Sequence, residues 1–151
     1  MEIERKFLID RFPNEFPLLH RSILRQGYLC TRPAVRIRST DREGKLAYKL
    51  CIKGKGTLVR EEVELDLTED VFRRLSSLLD APFIEKELRV YALPGGEKLE
   101  CNLVDNRFWY AEVEFPTVDA ARAFTPPPFL GREVTEDPGF SMAEYWEKRT
   151  F

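Results

Sequence analysis

Met1-Glu2-Ile3-Glu4-Arg5-Lys6 opens the chain and decides how the rest is read. As a β-strand it projects Glu2, Glu4 and Lys6 from one face, because side chains alternate with period two. Two carboxylates and an ammonium in a row make a poor core face. They make a plausible site for a metal ion and a polyanion. The opposite face holds Ile3, Arg5 and Phe7, apolar except for the arginine.

The same alternation recurs with changing sign. Arg36 and Arg38 alternate with Val35 and Ile37. Lys49 and Lys53 share a face with Cys51, opposite Leu50 and Ile52. Glu62 and Glu64 alternate with Val63 and Leu65, and Glu112 and Glu114 with Val113 and Phe115. One such strand reads as an ordinary half-exposed sheet, apolar side inward and charged side in water. The set reads differently. Same-sign charges two apart repel unless a partner strand or a ligand compensates them. Surface strands are usually rich in Thr, Ser and mixed polar residues, whereas these faces are almost purely ionic. The alternative is a barrel with its charged faces turned inward and its apolar faces covered by helices. Such a lumen must be wet, and must pair its charges or bind ions. Acidic pairs hold Mg²⁺ or Mn²⁺ through carboxylate oxygens. Arg and Lys clamp phosphate oxygens. A metal and a phosphate at adjoining ends of one cavity are the parts needed for attack on a phosphoanhydride.

Composition narrows the classes. A chain of 151 residues fits one domain spanning 1–151. The 24 Lys+Arg and 26 Asp+Glu leave a charge of -2, so nothing global argues for nucleic acid or a membrane surface as partner. No apolar run reaches the roughly 18 residues of a membrane span, and the N-terminus lacks a signal-peptide pattern. Cys30, Cys51 and Cys101 show neither C-x-x-C spacing nor an even count, which reads as a reducing cytoplasm. Ser-His-Asp catalysis would rest wholly on His20, the one histidine, and has no other support.

Strand-like alternation predicts strands near 1–9, 23–30, 34–40, 45–53, 59–67, 83–93, 97–105 and 108–115. Arg32-Pro33, Asp41 to Gly44, Gly54-Lys55-Gly56 and Pro94-Gly95-Gly96 supply the turns between them. Helices are predicted over 69–80 after Thr68, over 118–124 after Thr117, and from Ser141, whose spacing to Glu144 is that of a capping box. In the first of these Val71, Phe72, Leu75, Leu78 and Leu79 share one side. Segment 12–20 is ambiguous. The class is therefore α+β, mainly antiparallel β, closed into a barrel or a strongly curved sheet with peripheral helices.

At these residues the chain resembles the CYTH superfamily, the triphosphate tunnel metalloenzymes. Glu2-Ile3-Glu4-Arg5-Lys6 looks like its Glu-x-Glu-x-Lys signature. Gln26-Gly27-Tyr28-Leu29, Arg36-x-Arg38, Ile52-Lys53-Gly54, Arg60-Glu61-Glu62-Val63-Glu64 and Glu112-Val113-Glu114-Phe115 follow in the family's order. Glu133-Val134-Thr135 and Phe140 to Tyr145 resemble its closing segment. The resemblance implies an eight-stranded closed tunnel with a charged lumen that binds a triphosphate and Mg²⁺ or Mn²⁺. It implies metal binding by Glu2, Glu4, Glu62, Glu64, Glu112 and Glu114. It implies phosphate contacts from Lys6, Arg36, Arg38, Lys53, Arg60 and Arg89, and a catalytic group of Lys6, Tyr28 and Glu4. Two places depart from the family. Its Lys-x-Arg strand reads Glu85-Lys86-Glu87-Leu88-Arg89 here, so in register with Arg89 the lysine position holds Glu87 and Lys86 faces away unless a bulge turns it. Its Glu-x-Asp reads Glu100-Cys101-Asn102, with Asp105 the nearest substitute carboxylate.

The expected activity is metal-dependent hydrolysis of a small-molecule triphosphate, inorganic triphosphate first, to pyrophosphate plus phosphate, by a monomer or homodimer. Alternatives on the same fold are an adenylyl cyclase and a thiamine or nucleoside triphosphatase. A non-catalytic polyphosphate-binding module is the alternative of another class.

Overall fold

Nine antiparallel strands carry the alternating faces: β1 (Glu2–Leu8), β2 (Leu18–Thr31), β3 (Ala34–Arg42), β4 (Lys45–Lys53), β5 (Val59–Arg60), β6 (Glu62–Leu67), β7 (Ile84–Ala92), β8 (Lys98–Val104) and β9 (Phe108–Glu114). The computed structural model describes residues 1–150; Phe151, the last residue of the predicted domain, lies outside them. The strands form one sheet in the order β5-β1-β9-β8-β7-β2-β3-β4-β6.

The two ends of that order are neighbours in sequence. β5 pairs with β1 and β6 with β4, and only Glu61 lies between β5 and β6. The predicted strand 59–67 is thus two strands: the run breaks at Glu61, whose carbonyl accepts from the Gly54 N–H at 2.9 Å. The expected eight strands become nine for that reason, and the expected closed tunnel is a nearly closed barrel.

Three short helices pack around it: α1 (Glu69–Ser76), α2 (Val118–Ala123) and α3 (Met142–Lys148). Each has a hydroxyl N-cap. Thr68 accepts from Val71 N–H at 3.1 Å, Thr117 from Ala120 N–H at 3.0 Å and Ser141 from Glu144 N–H at 3.1 Å. α1 stops four residues short of the predicted 80, because Ser77 caps it onto the Arg73 and Leu75 carbonyls. Leu78 consequently lies past the helix and exposed, and Val71 is exposed too; Phe72 alone is buried, stacked on Phe83 and against Tyr48. The ambiguous segment resolves in part as strand, since Leu18 to His20 extend β2 through a bulge.

The main core lies outside the barrel. Phe7, Leu99, Cys101, Ala111 and Val113 on β1, β8 and β9 pack against Ala121 of α2 and against Phe12, Phe16, Phe124 and Phe129. α3 lays Met142, Ala143, Tyr145 and Trp146 against Tyr28, Ile84, Val104 and Tyr110 at one end of the barrel. This close approach needs Gly27: a Cβ there would sit 2.6 Å from a Leu79 methyl and 3.2 Å from the Trp146 ring. The outer face of β6 is left without a cover, with Val63 48% and Leu65 54% exposed. None of the described helices is long and apolar enough to cross a membrane.

Candidate functional site in the barrel lumen

Burying the apolar faces outside sends the ionic faces of β1, β3, β4 and β9 inward. They meet on a cavity of ≈ 650 Å³ lined by Glu4, Lys6, Tyr28, Arg36, Arg38, Lys53, Arg60 and Glu112, with Met142 and Ala143 of α3. Strand pairing sets these neighbours: Lys6 stands opposite Glu112 and Glu4 opposite Glu114 across β1 and β9, and Tyr28 opposite Arg36 across β2 and β3.

One side of the lumen is acidic. Carboxylate oxygens of Glu2, Glu4 and Glu114 lie within 4.8 Å of one another. Lys53 Nζ reaches into this group, 3.0 Å from Glu2 and 3.6 Å from Glu62. Burial and the neighbouring Arg36 lower the Lys53 pKa, but Glu4, Glu2 and Glu112 outweigh them and keep the ammonium charged. Burial raises the Glu4 carboxyl strongly, and the Glu112 charge and hydrogen bond raise it further. Burial also acts to raise Glu112, yet Lys6, the hydrogen bond with Glu4, Lys53 and Lys86 hold it low. The two neighbouring carboxyls are thus pushed in opposite directions, Glu4 up and Glu112 down, as crowded carboxyls are. A set of hard oxygens this crowded fits a divalent cation. Glu2, Glu4 and Glu114 are the residues that would hold it, with Glu112 beside them.

Glu62 and Glu64 stand somewhat apart. Their carboxylates and the Cys51 thiol form a second group within 4.8 Å, and Glu64 is also bound by Lys49 at 2.9 Å near the rim. Glu114 also borders a second cavity, ≈ 810 Å³, with His20, Arg42 and Glu100.

The other side is cationic, and its charges have few acidic partners. Arg38 is half-buried, and desolvation followed by the charge of Arg36 pushes its pKa down to about 10. Arg36 Nε is buried without a hydrogen-bond partner. Lys6 Nζ donates to the Phe140 carbonyl at 2.7 Å and stands 4.5 Å from the centre of the Tyr110 ring. Arg60 donates from Nε to the Gly54 carbonyl at 3.2 Å. This arrangement can bind an extended polyanion along the cationic side with one end beside the acidic group.

Arg89 is not part of the lumen. Its guanidinium lies 4.0 Å over the Phe12 ring and 2.7 Å from Glu87, which also takes Arg21 at 2.8 Å. The expected phosphate contact from Arg89 is therefore not met: its guanidinium is on the outer face. The lumen-facing residue of β7 is Lys86, without a bulge at that point. It is buried opposite Leu24 and Val104 and donates to Tyr110 Oη at 2.9 Å. Burial, and then Arg38, lower its pKa well below the usual ammonium range. Asp105 does not replace the missing carboxylate of β8. It sits in the turn after β8, accepting from Glu85 N–H at 2.8 Å and Tyr145 O–H at 2.6 Å. Asn102 is buried on the inner face. Glu100, two residues earlier, lies opposite Glu112, and burial followed by the charges of Glu112 and Glu114 raises its carboxyl to about 8.

Sequence reasoning assigned no role to Lys86, Tyr110 or Glu100. Tyr110 has a signal, since its position is in phase with Glu112 and Glu114 on β9, but a lone aromatic in a strand reads as core.

No family profile matches the chain. An inorganic triphosphatase of Nitrosomonas europaea is 39% identical over 139 residues, covering 90% of both proteins. The crystal structure of the inorganic triphosphatase NE1496 superposes with a TM-score of 0.69 at 31% identity, covering 100% of this chain and 97% of that one. HpAC1 from Hippeastrum shares the fold, with a TM-score of 0.61 at 16% identity over 81% of this chain and 83% of its own. Similarity at this identity and coverage, on a nearly closed barrel whose ionic strands converge, places the chain by descent and by architecture: it belongs to the CYTH superfamily, the triphosphate tunnel metalloenzymes.

Proposed function

We propose that this protein hydrolyses inorganic triphosphate to pyrophosphate plus phosphate, with Mg²⁺ or Mn²⁺ as its metal. The observation that carries the reading is the division of one ≈ 650 Å³ lumen into an acidic side and an undercompensated cationic side. The 39% identity to an inorganic triphosphatase supports the same substrate. Glu2, Glu4 and Glu114, with Glu112, Glu62 and Glu64 contributing, would hold the divalent ion, which would supply positive charge for the phosphoryl transfer. Lys6, Arg36, Arg38, Lys53, Arg60 and Lys86 orient the phosphates and take up the charge that develops on their oxygens. Lys6 and Glu4 on β1 and Tyr28 on β2, which all line the cavity, form the catalytic group.

The test is phosphate release from triphosphate with Mg²⁺ or Mn²⁺, run beside ATP with product identification. One phosphate and one pyrophosphate per triphosphate are expected. Metal-dependent binding of triphosphate without turnover would leave a binding module, and a cyclic nucleotide from ATP would leave a cyclase; either overturns the hydrolase.

A further inference from the structure

Arg38 is a half-buried cation whose hydrogen-bond anchor is neutral. Gln26 stands opposite it across β2 and β3, and the Gln26 side chain is fully buried. Its Oε1 accepts the Arg38 Nε–H at 3.0 Å and an Nη2–H at 2.8 Å. Its Nε2 lies 3.5 Å from Tyr28 Oη as a long hydrogen-bond donor. No ion pair joins Arg38 to a carboxylate among the described residues.

This geometry does two things. It uses two of the five guanidinium N–H donors and leaves three free. The fork is held on its Nε edge, so its planar orientation is set before any ligand arrives. The anchor carries no charge, so the guanidinium keeps its full attraction for an anion. A carboxylate in the same place would form a buried ion pair and cancel that attraction. The contrast is present in the same lumen, where Lys53 is held by Glu2 and Glu62.

We propose that Gln26 is a positioning residue: it aims Arg38 into the lumen and preserves its charge for a phosphate of the substrate, while linking it to Tyr28. The inference rests on the triphosphate reading above.

The test compares wild type with Gln26→Glu and Gln26→Leu. Gln26→Glu is nearly isosteric and supplies Arg38 with a partner, so it folds with an unchanged or higher Tm. It raises the KM for inorganic triphosphate at least tenfold. Gln26→Leu keeps the charge but frees the fork, and raises KM about threefold or more. In ¹⁵N NMR of the unliganded wild type, the Arg38 Nε–H exchanges slowly, and Gln26→Leu makes it exchange fast. That exchange rate does not depend on turnover, and the wild-type spectrum needs no variant to fold. A Gln26→Glu enzyme with KM within twofold of wild type overturns the inference. So does a wild-type Arg38 Nε–H that exchanges as fast as those of surface arginines. Wild-type protein that neither binds nor hydrolyses triphosphate would instead defeat the functional reading itself.

Discussion

The acidic and cationic sides of the lumen handle buried charge in opposite ways. On the acidic side, charges answer each other: Lys53 lies between Glu2 and Glu62, and the Glu112 charge and hydrogen bond raise the Glu4 carboxyl. On the cationic side, Arg38 rests on an amide, Lys86 on a phenol, and Lys6 on a backbone carbonyl and a ring face. A group of charges that satisfies itself contributes to the fold without a ligand. A cation whose hydrogen-bond partners are neutral keeps a desolvation cost that an incoming anion relieves. On the proposed function, the phosphates lie on the one side and the metal on the other. Breaking each side should therefore have distinct consequences.

Glu4→Gln should have the largest effect. It leaves an amide where a crowded carboxyl stood, so metal-free Tm stays the same or rises. Activity should fall on the order of 1,000-fold, because the charge supplied by a metal at the reacting phosphoryl is worth several kcal/mol. Thermal melting with and without Mn²⁺, beside phosphate release, separates the two effects. Metal-induced stabilisation should shrink in the variant. Arg38→Ala acts on the other side. It removes a cation aimed at developing charge and should lower kcat/KM by about 100-fold, while leaving metal-induced stabilisation near wild type. If Arg38→Ala abolished the response to metal instead, the two-sided division would be wrong.

That division was legible in the sequence wherever a strand had one ionic face and one apolar face. β1, β3, β4 and β9 are such strands, and their ionic faces turn inward. β7 is the instructive exception. Its more charged face, Glu85, Glu87 and Arg89, turns outward, and Lys86 goes in beside Ile84, Leu88 and Val90. Alternation alone gives both phases of β7 some charge. Its phase is decided by contacts remote in sequence: the Phe12 ring under Arg89, and the Tyr110 hydroxyl beyond Lys86. The split of the 59–67 run escaped for a related reason. No turn residue marks Glu61, where the run changes partner, from β1 at Arg60 to β4 beside Gly54. The caps mark where the helices start, but Leu78 and Leu79 extend the apolar side of α1 past its end, and the fold leaves Leu78 exposed.

Tyr110→Phe sharpens the comparison further at smaller cost. The ring that faces Lys6 remains, and only the acceptor for Lys86 is lost. One buried hydrogen bond to an amine is worth about 1–2 kcal/mol, so kcat/KM should fall about tenfold. Loss of that acceptor leaves Lys86 less constrained within reach of the substrate, and the defect should fall mainly on kcat/KM at low triphosphate. An equal loss from Tyr110→Phe and Tyr110→Ala would show that the hydroxyl carries the whole effect and the ring none.

The smallest expected effect lies outside the lumen, on a charge pair that answers only to the fold. Glu133 accepts from Arg5 Nε at 2.9 Å and Nη2 at 2.7 Å, and from Thr135 Oγ1 at 2.6 Å; Thr135 in turn accepts from the Lys6 backbone N–H. The Arg5 hydrogen bond, against a smaller opposing effect of burial, lowers the Glu133 pKa. A carboxyl whose folded pKa is depressed stabilises the fold above its unfolded pKa, and that contribution is lost as pH falls through the folded pKa. Glu133→Gln should therefore destabilise at neutral pH by about 1 kcal/mol, the value for a well-aligned but partly exposed pair. Its melting curve should converge on that of wild type as the solution is acidified below the usual carboxyl range. In Gln26→Glu, by contrast, the new pair would stabilise the fold while weakening substrate binding. Opposite signs of stability change at Glu133 and Gln26 would separate a cation used for folding from one reserved for the ligand.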